Sequence, residues 1–387
     1  MKNSEIILKL IRSVVFGNEL DAAELKEIGA DLNENKLAEI YELSSFHDVA
    51  HIVGFALKKN GLLSDLPAAQ KLHSTIFKAA LRCEKIVKEL DALKSCLEES
   101  GIDHIALKGS VIRYLYPQPW MRTSCDIDIL VREGDLDRAV AAICDKLKYR
   151  AEGKRAYHDI SLYSEGGTHL ELHFSIKENM DKIDTVLSQA WYYSEQCEGK
   201  KHEYRFKNEY LYFHLMAHTA YHFMHGGCGI RSFIDMLLIK QKLDVDERVL
   251  DALLEECGLI TFARSCEKLG RTWFCGDPYP SELYDMDDFV ISGGVYGTMS
   301  NSIAINNSSK GKGYFWRRAF LKYNDLKVLY PILEKHKILT PVFQIVRWFK
   351  IFKKDSNAKI RRELQINSQT NDSDIIRTKQ MLSRLGL

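Results

Sequence analysis

The sequence predicts an α+β protein: a short sheet-forming centre with helical regions on its N- and C-terminal sides. Three observations lead there. Apolar residues recur at helical spacing over residues 1–98. Short apolar runs bounded by Gly, Pro and acidic residues replace that pattern between 104 and 176. Helical spacing then resumes near residue 182. The chain has 387 residues, enough for two or three domains. Hydrophobic residues make up 45% and charged residues 28%, an ordinary globular balance.

LKLIRSVV, AAELKEI, KLAEIYEL and the long AAQKLHSTIFKAALRCEKIVKELDALKSCLEES read as helices, and Gly101 ends the last of them. In the N-terminal twenty residues Glu5, Lys9 and Arg12 interrupt the apolar ones, which suits an amphipathic helix and not a signal peptide. His104–Leu107 is a short strand, and Ser110–Tyr116 a short helix that Pro117 and Pro119 break. After a loop through Ser124 comes a strand, Asp126–Val131. Asp135 is placed to cap a helix that buries Leu136, Ala139, Val140, Ile143 and Leu147. Residues 156–163 and 168–176 form a hairpin around Glu165-Gly166-Gly167. Helices are expected at 182–195, 208–223 and 231–243. The stretch 292–313 reads as a long loop, helices as following at 314–335 and 341–353, and the last 25 or so residues as a polar, poorly ordered tail.

No apolar run approaches the roughly 18 residues a membrane span needs. Nine cysteines without a CxxC pair suit reduced thiols in the cytoplasm. A net charge of +1 argues against a protein that coats nucleic acid over its whole surface.

A strand turns residues i and i+2 to one face. Asp126 and Asp128 therefore point together, opposite Ile127 and Ile129. They are either two solvated aspartates at a strand end or part of a Mg²⁺ site, since carboxylates are the preferred ligands of that ion. Gly109-Ser110, between a strand and a helix, is either a simple cap or a phosphate-binding turn. In THLELHFS, residues 168–175, His169, Glu171, His173 and Ser175 share a face. Glu171 is a candidate third carboxylate with His173 beside it; otherwise this is a half-exposed strand. The aspartates open their strand, unlike those of aspartate-nucleophile phosphatases and DxD glycosyltransferases, and no Walker-type GxxxxGK[ST] is present.

Taken together, LKGSVIRYLYPQPWMRTSCDIDILV, LELHFS and HLMAHTAYH followed by RSFIDMLLI resemble the DNA polymerase β-like nucleotidyltransferase superfamily. More narrowly they resemble the bacterial NTP_transf_5 family. The resemblance is firm over roughly residues 100–240. It implies a mixed sheet carrying the site, with helices around it. Asp126, Asp128 and Glu171 would be the catalytic carboxylates holding Mg²⁺ (or Mn²⁺). Gly109 and Ser110 would hold the phosphates of a nucleoside triphosphate, with ATP the expected donor. Lys108 and Arg122 are either phosphate neutralisers or solvated surface bases. The reaction would be in-line attack of an acceptor hydroxyl on the α-phosphate. Lys108 stands where many superfamily members have a second small residue, which leaves the grip on the triphosphate open. The implied organisation is a helical region at 1–98, a catalytic core at 99–200, helices packed on the core at 201–275 and a basic, mostly helical region at 276–387. An inactive module that keeps the fold and binds a nucleotide or partner is the alternative.

His214, His218, His222 and His225 lie along one helix face. Without an HExxH glutamate or a cysteine pair, a zinc site is the weaker reading. The resemblance implies that His218 and His222 orient a carboxylate or touch the nucleotide beside a helix bearing Asp235; a structural role is the other possibility. Between Lys310 and Arg362 fifteen Lys or Arg accompany three Asp or Glu, interleaved with aromatics. This region could meet RNA, a protein acceptor or an anionic membrane, or be a solvated helical face.

Overall fold

The computed structural model describes residues 1–152, 155, 157–295, 297–310, 320–351, 366 and 371–387. They form two compact units: residues 1–221 with 229–284 and Gly386, and residues 222–228 with 285–385 and Leu387.

The first unit begins with five helices: α1 (Asn3–Val15), α2 (Ala22–Asp31), α3 (Glu34–Phe46), α4 (Ala50–Lys59) and α5 (Pro67–Glu99). Then come β1 (His104–Ala106), α6 (Gly109–Ile112), β2 (Asp126–Val131), α7 (Leu136–Leu147), β3 (Arg150–Glu152), β4 (Asp159–Tyr163) and β5 (His169–His173). The unit ends with α8 (Asp181–Leu187), β6 (Ser194–Gln196), β7 (Glu203–Phe206), α9 (Asn208–Met224, whose residues 222–224 are counted with the second unit), α10 (Ile230–Lys242), α11 (Glu247–Glu256) and α12 (Ile260–Phe274).

Side-chain caps start α2 and α3. Asp21 accepts from the Glu24 N–H at 2.8 Å while Glu24 accepts from the Asp21 N–H, and Asn33 accepts from the Lys36 N–H at 3.0 Å. Asp135 does not cap α7. Its backbone is already helical, closing a short 3₁₀ turn at Glu133–Asp135, so its carboxylate turns to Arg138. A cap residue needs extended backbone to reach back to the first N–H groups. Helix α4 has no counterpart among the expected elements. Nearly every residue from Ala50 to Leu57 is buried, so it shows no polar stripe against which an apolar one could be read. Gly54 marks its closest approach to α5: a Cβ there would lie 2.6 Å from the Leu72 carbonyl oxygen.

Seven strands form one mixed sheet in the order β3-β4-β5-β2-β1-β7-β6, in keeping with the α+β fold class. β2 runs parallel to β5 and antiparallel to β1. The expected hairpin is present as β4 and β5, with β3 added antiparallel beyond it. The helix expected over 182–195 ends at Leu187, and the chain turns into the β6–β7 pair. Those strands hold three and four residues, too few to display a period of two.

One sheet face carries the core. Ile127, Ile129 and Val131 of β2 and Leu170 and Leu172 of β5 pack on Ile86, Leu90 and Leu93 of α5 and Leu136 and Ile143 of α7. Each such side chain contributes roughly 2 kcal/mol of transfer free energy. A register slip by one residue would bury the aspartates in their place, so this packing fixes which face bears them.

Buried histidines make the unit acid-sensitive. His51 (Nε2 to the Met121 oxygen, 2.9 Å) and His104 (Nδ1 to the Ile102 oxygen, 3.0 Å) have pKa values lowered by burial. Burial, then the Lys108 ammonium, pushes His214 down to about 3. The unfolded chain takes up these protons below about pH 6.5 while the folded chain resists them. Their contribution is therefore complete above that pH and is lost as the pH falls toward the folded-state values. Thermal melts across this window are expected to show a steady fall in midpoint with acidification; a flat profile to about pH 5 contradicts the assignment.

The second unit contains α13 (Tyr284–Gly293), α14 (Met299–Lys310) and helices at Tyr323–Leu329, Ile332–Lys335, Thr340–Ile351 and Asp372–Leu385. Much of the expected loop at 292–313 is thus helical. Its Ser- and Asn-rich composition hides a helix that buries Ile303, Ala304 and Ile305. The polar tail is corrected likewise: α14 packs on Asp372–Leu385, which buries Met381, Leu382 and Leu385. Arg377 and Arg384 of that helix both reach Asp285. Parts of these expectations, at 311–319, 352–353, 363–365 and 367–370, lie outside the described residues. Among the described residues no helix is long and apolar enough to cross a membrane.

Candidate active site

The parallel register of β2 and β5 sets Asp126 opposite His169 and Asp128 opposite Glu171. All four side chains, with that of His173, occupy the sheet face away from the apolar core. Ligand atoms of Asp126, His169 and Glu171 lie within 4.8 Å of one another, and so do those of Asp128, Glu171 and His173. Lys108 donates from Nζ to Asp128 Oδ1 at 3.0 Å, and His173 donates from Nε2 to the same oxygen at 3.0 Å. His173 Nε2 is also 3.5 Å from Glu171 Oε2.

The charges are unevenly balanced. Burial raises the cost of charging Asp128, but Lys108 and His173 outweigh it and hold the carboxyl far below the usual range. The His173 hydrogen bond likewise lowers Glu171. Burial opposes the positive charges of Lys108 and His173, yet the adjacent carboxylates raise both pKa values. Asp126 is different: burial, then the charges of Asp128 and Glu171, raise its pKa. The excess negative charge of the cluster therefore rests on Asp126. A divalent cation would relieve it, and the carboxylate oxygens are the donors a hard cation takes.

The glycine–serine turn joins this cluster through Lys108. Leu107 donates its N–H to the Asp128 carbonyl at 3.0 Å, and the chain then turns into α6. Lys108 adopts φ 45° and ψ −122°, a region that glycine enters freely and other residues enter at about 1–3 kcal/mol. The conformation expected of a small residue is thus kept, and the lysine that replaces it gains Asp128. A Cβ on Gly109 would lie 3.1 Å from Ser124 Cβ and 3.4 Å from Arg122 Nη1. Arg113, fully buried, donates to the Gly109 carbonyl and to Ser124 Oγ, each at 2.8 Å. Ser110 is buried, and its hydroxyl has no hydrogen-bond partner.

Arg122 and Lys108 are not solvated surface bases. Arg122 is buried, with Nε and Nη2 on the Asp235 carboxylate at 2.9 Å and Nη1 on the Thr123 carbonyl at 2.6 Å. Tyr116 donates its hydroxyl to Asp235 at 2.7 Å. The Arg122–Asp235 pair thus fastens the loop before β2 to α10. Asp48, just after α3, accepts from Thr123 Oγ1 of that loop and pairs with Arg231 of α10.

The carboxylate that His218 meets is Glu178, which accepts from Nδ1 at 2.7 Å. Burial, then the Lys108 ammonium, pushes His218 down to about 3, so the ring is neutral at pH 7. His214 is buried against the edge of Phe206, while His222 and His225 belong to the second unit. Among the described residues both metal-capable groups lie on the sheet and neither includes a histidine of α9.

Glu178, Arg113 and Asp48 were not anticipated. Arg113 had a signal, an arginine four residues after Gly109 on one short helix. Glu178 and Asp48 had none, because each acts across a distance in the chain that no local pattern spans.

No curated protein and no solved structure matches the chain. The family model described as uncharacterised nucleotidyltransferase matches residues 33–274, a span that runs from α3 through the sheet and the glycine–serine turn to α12. The chain belongs to this nucleotidyltransferase family.

Proposed function

We propose that the protein is a divalent-metal-dependent nucleotidyltransferase that moves a nucleoside monophosphate from a triphosphate to an acceptor hydroxyl. The observation that carries this reading is the meeting of three carboxylates on adjacent parallel strands, tied through Lys108 to a turn with an unpartnered serine hydroxyl. Asp126, Asp128 and Glu171 would hold Mg²⁺ or Mn²⁺, which supplies neutralisation of phosphate charge. Ser110 and the Gly109 backbone would take phosphate oxygens. Lys108 adds positive charge between turn and carboxylates, and His173 orients Asp128. Arg122, committed to Asp235, serves the nucleotide by supporting Gly109 from behind. In the reaction an acceptor oxygen bonds to the α-phosphorus, the bond from that phosphorus to the β-phosphate bridge breaks, pyrophosphate leaves and the hydroxyl proton passes to solvent. Catalysis rests on positioning and charge stabilisation, as is general for phosphoryl transfer.

The acceptor class is a protein side chain, an RNA end or a small hydroxylated molecule, and ATP is the first donor to examine. Retention of all three carboxylates favours an enzyme over an inactive module. Incubation with Mg²⁺ or Mn²⁺, each α-labelled triphosphate and cell lysate is expected to label an acceptor or release pyrophosphate. The absence of transfer and of nucleotide binding with every metal and triphosphate would remove the reading.

A further inference from the structure

The helix Thr340–Ile351 in the second unit carries an exposed apolar stripe. Gln344 and Arg347 are buried, at 8% exposure each, and Phe343 and Trp348 are half-buried. The Gln344 amide donates to the Leu321 carbonyl at 2.5 Å, so this inward polar side is hydrogen-bonded. Val342, Ile345, Val346 and Phe349 face outward, with Phe349 73% exposed. The preceding turn, Lys337–Leu339, adds Ile338 at 89%. Positions 338, 342, 345 and 349 recur every three or four residues, and therefore form one stripe. A surface helix of a water-soluble domain buries its apolar stripe and exposes its polar side; this one leaves a second, wholly apolar stripe in solvent, opposite the side on which Phe343 meets Tyr330 and Trp348 meets Phe320.

The charge of this stretch of sequence, with the exposed lysines at the start of the stripe, points to what covers it. Residues 310–362 carry fifteen Lys or Arg against three Asp or Glu, and Lys335 and Lys337 are exposed at the start of the stripe. A second copy of the chain laid on the same stripe would bring Lys335 and Lys337 against like charges, at a cost in repulsion. RNA would match the charge, but of the four stripe residues Phe349 alone offers a stacking face, and none offers a hydrogen-bond donor to a base. An aliphatic stripe flanked by lysines suits a bilayer with anionic headgroups, where apolar side chains enter the acyl boundary and ammonium groups meet phosphates.

We infer that the surface formed by Ile338, Val342, Ile345 and Phe349 with the neighbouring lysines is a docking site for an anionic phospholipid bilayer, on which the chain lies without spanning it. The transferase reading is independent of this one.

The full-length chain should cosediment with phosphatidylcholine vesicles containing about one-third phosphatidylglycerol and not with phosphatidylcholine alone. Binding should weaken as salt rises from about 0.05 to 0.5 M. The Val342→Glu/Phe349→Glu variant should lose at least about tenfold in vesicle binding, with its circular dichroism and oligomeric state unchanged. Should that variant misfold, Ile345→Ser with Phe349→Ser makes the same comparison. Failure of the wild type to bind anionic vesicles at low salt overturns the inference. So does a folded variant that binds them as the parent does. A substitution that dissociates a wild-type oligomer, or abolishes RNA retention, without altering vesicle binding also overturns it, in favour of a self-contact or an RNA surface.

Discussion

Asp126→Asn is expected to lose nucleotidyl transfer by at least about a thousandfold while leaving the metal-free protein as stable as the parent or more stable. The two effects have one cause. Asp126 sits partly buried beside Asp128 and Glu171 with no ion-pair partner among the described contacts, and its charge is disfavoured by burial and by those two neighbours. Asparagine keeps the shape and removes the repulsion, and with it the charge proposed to bind the metal. Asp128→Asn should also abolish transfer but in addition destabilise the protein. It would leave both Lys108 and His173 facing a neutral amide at a buried position. Thermal melts in a chelator, set beside transfer assays in Mg²⁺, separate the two. Asp126→Asn retaining transfer would remove the residue from the site. If both variants melted equally below the parent, the uneven charge balance described for the cluster would be wrong.

Asp235→Asn is expected to cost roughly 3–5 kcal/mol, because it leaves the Arg122 guanidinium buried without its anion. Arg122 and Asp235 are both almost fully buried and share three contacts at 2.9 Å, with Tyr116 as a further donor to the same carboxylate. For a unit of this size the loss amounts to a fall in melting midpoint on the order of 10 °C. The double replacement Arg122→Met/Asp235→Leu fills the space without charge and should recover part of that stability, the Tyr116 hydroxyl being left without its acceptor at a cost of about 1–3 kcal/mol. It should still weaken triphosphate binding, since Arg122 Nη1 backs Gly109 at the turn. Urea unfolding and nucleotide titration of the three proteins check both statements. A double variant as unstable as the single one, or one binding nucleotide as the parent does, would deny Arg122 its supporting role.

The period of extended backbone is a local property, and what depended on it was legible in the residues. The strand Asp126–Val131 was located to the residue, and Asp126 with Asp128, and His169 with Glu171 and His173, were assigned to shared faces. Amphipathic helices such as α1, α5 and α7 were readable for the same reason. Helix α4 was not, being buried on almost every side, nor was α14, whose serines and asparagines resemble a loop. Tertiary structure alone decided the rest. Asp128 lies opposite Glu171 only because β2 and β5 pair in that register. Of the two nearby bases, Lys108 turned to Asp128 and Arg122 to Asp235. His218 took Glu178, from a loop that no motif marks. These are contacts between segments distant in the chain, set by packing and charge balance across the whole unit, and no pattern within a single segment encodes them.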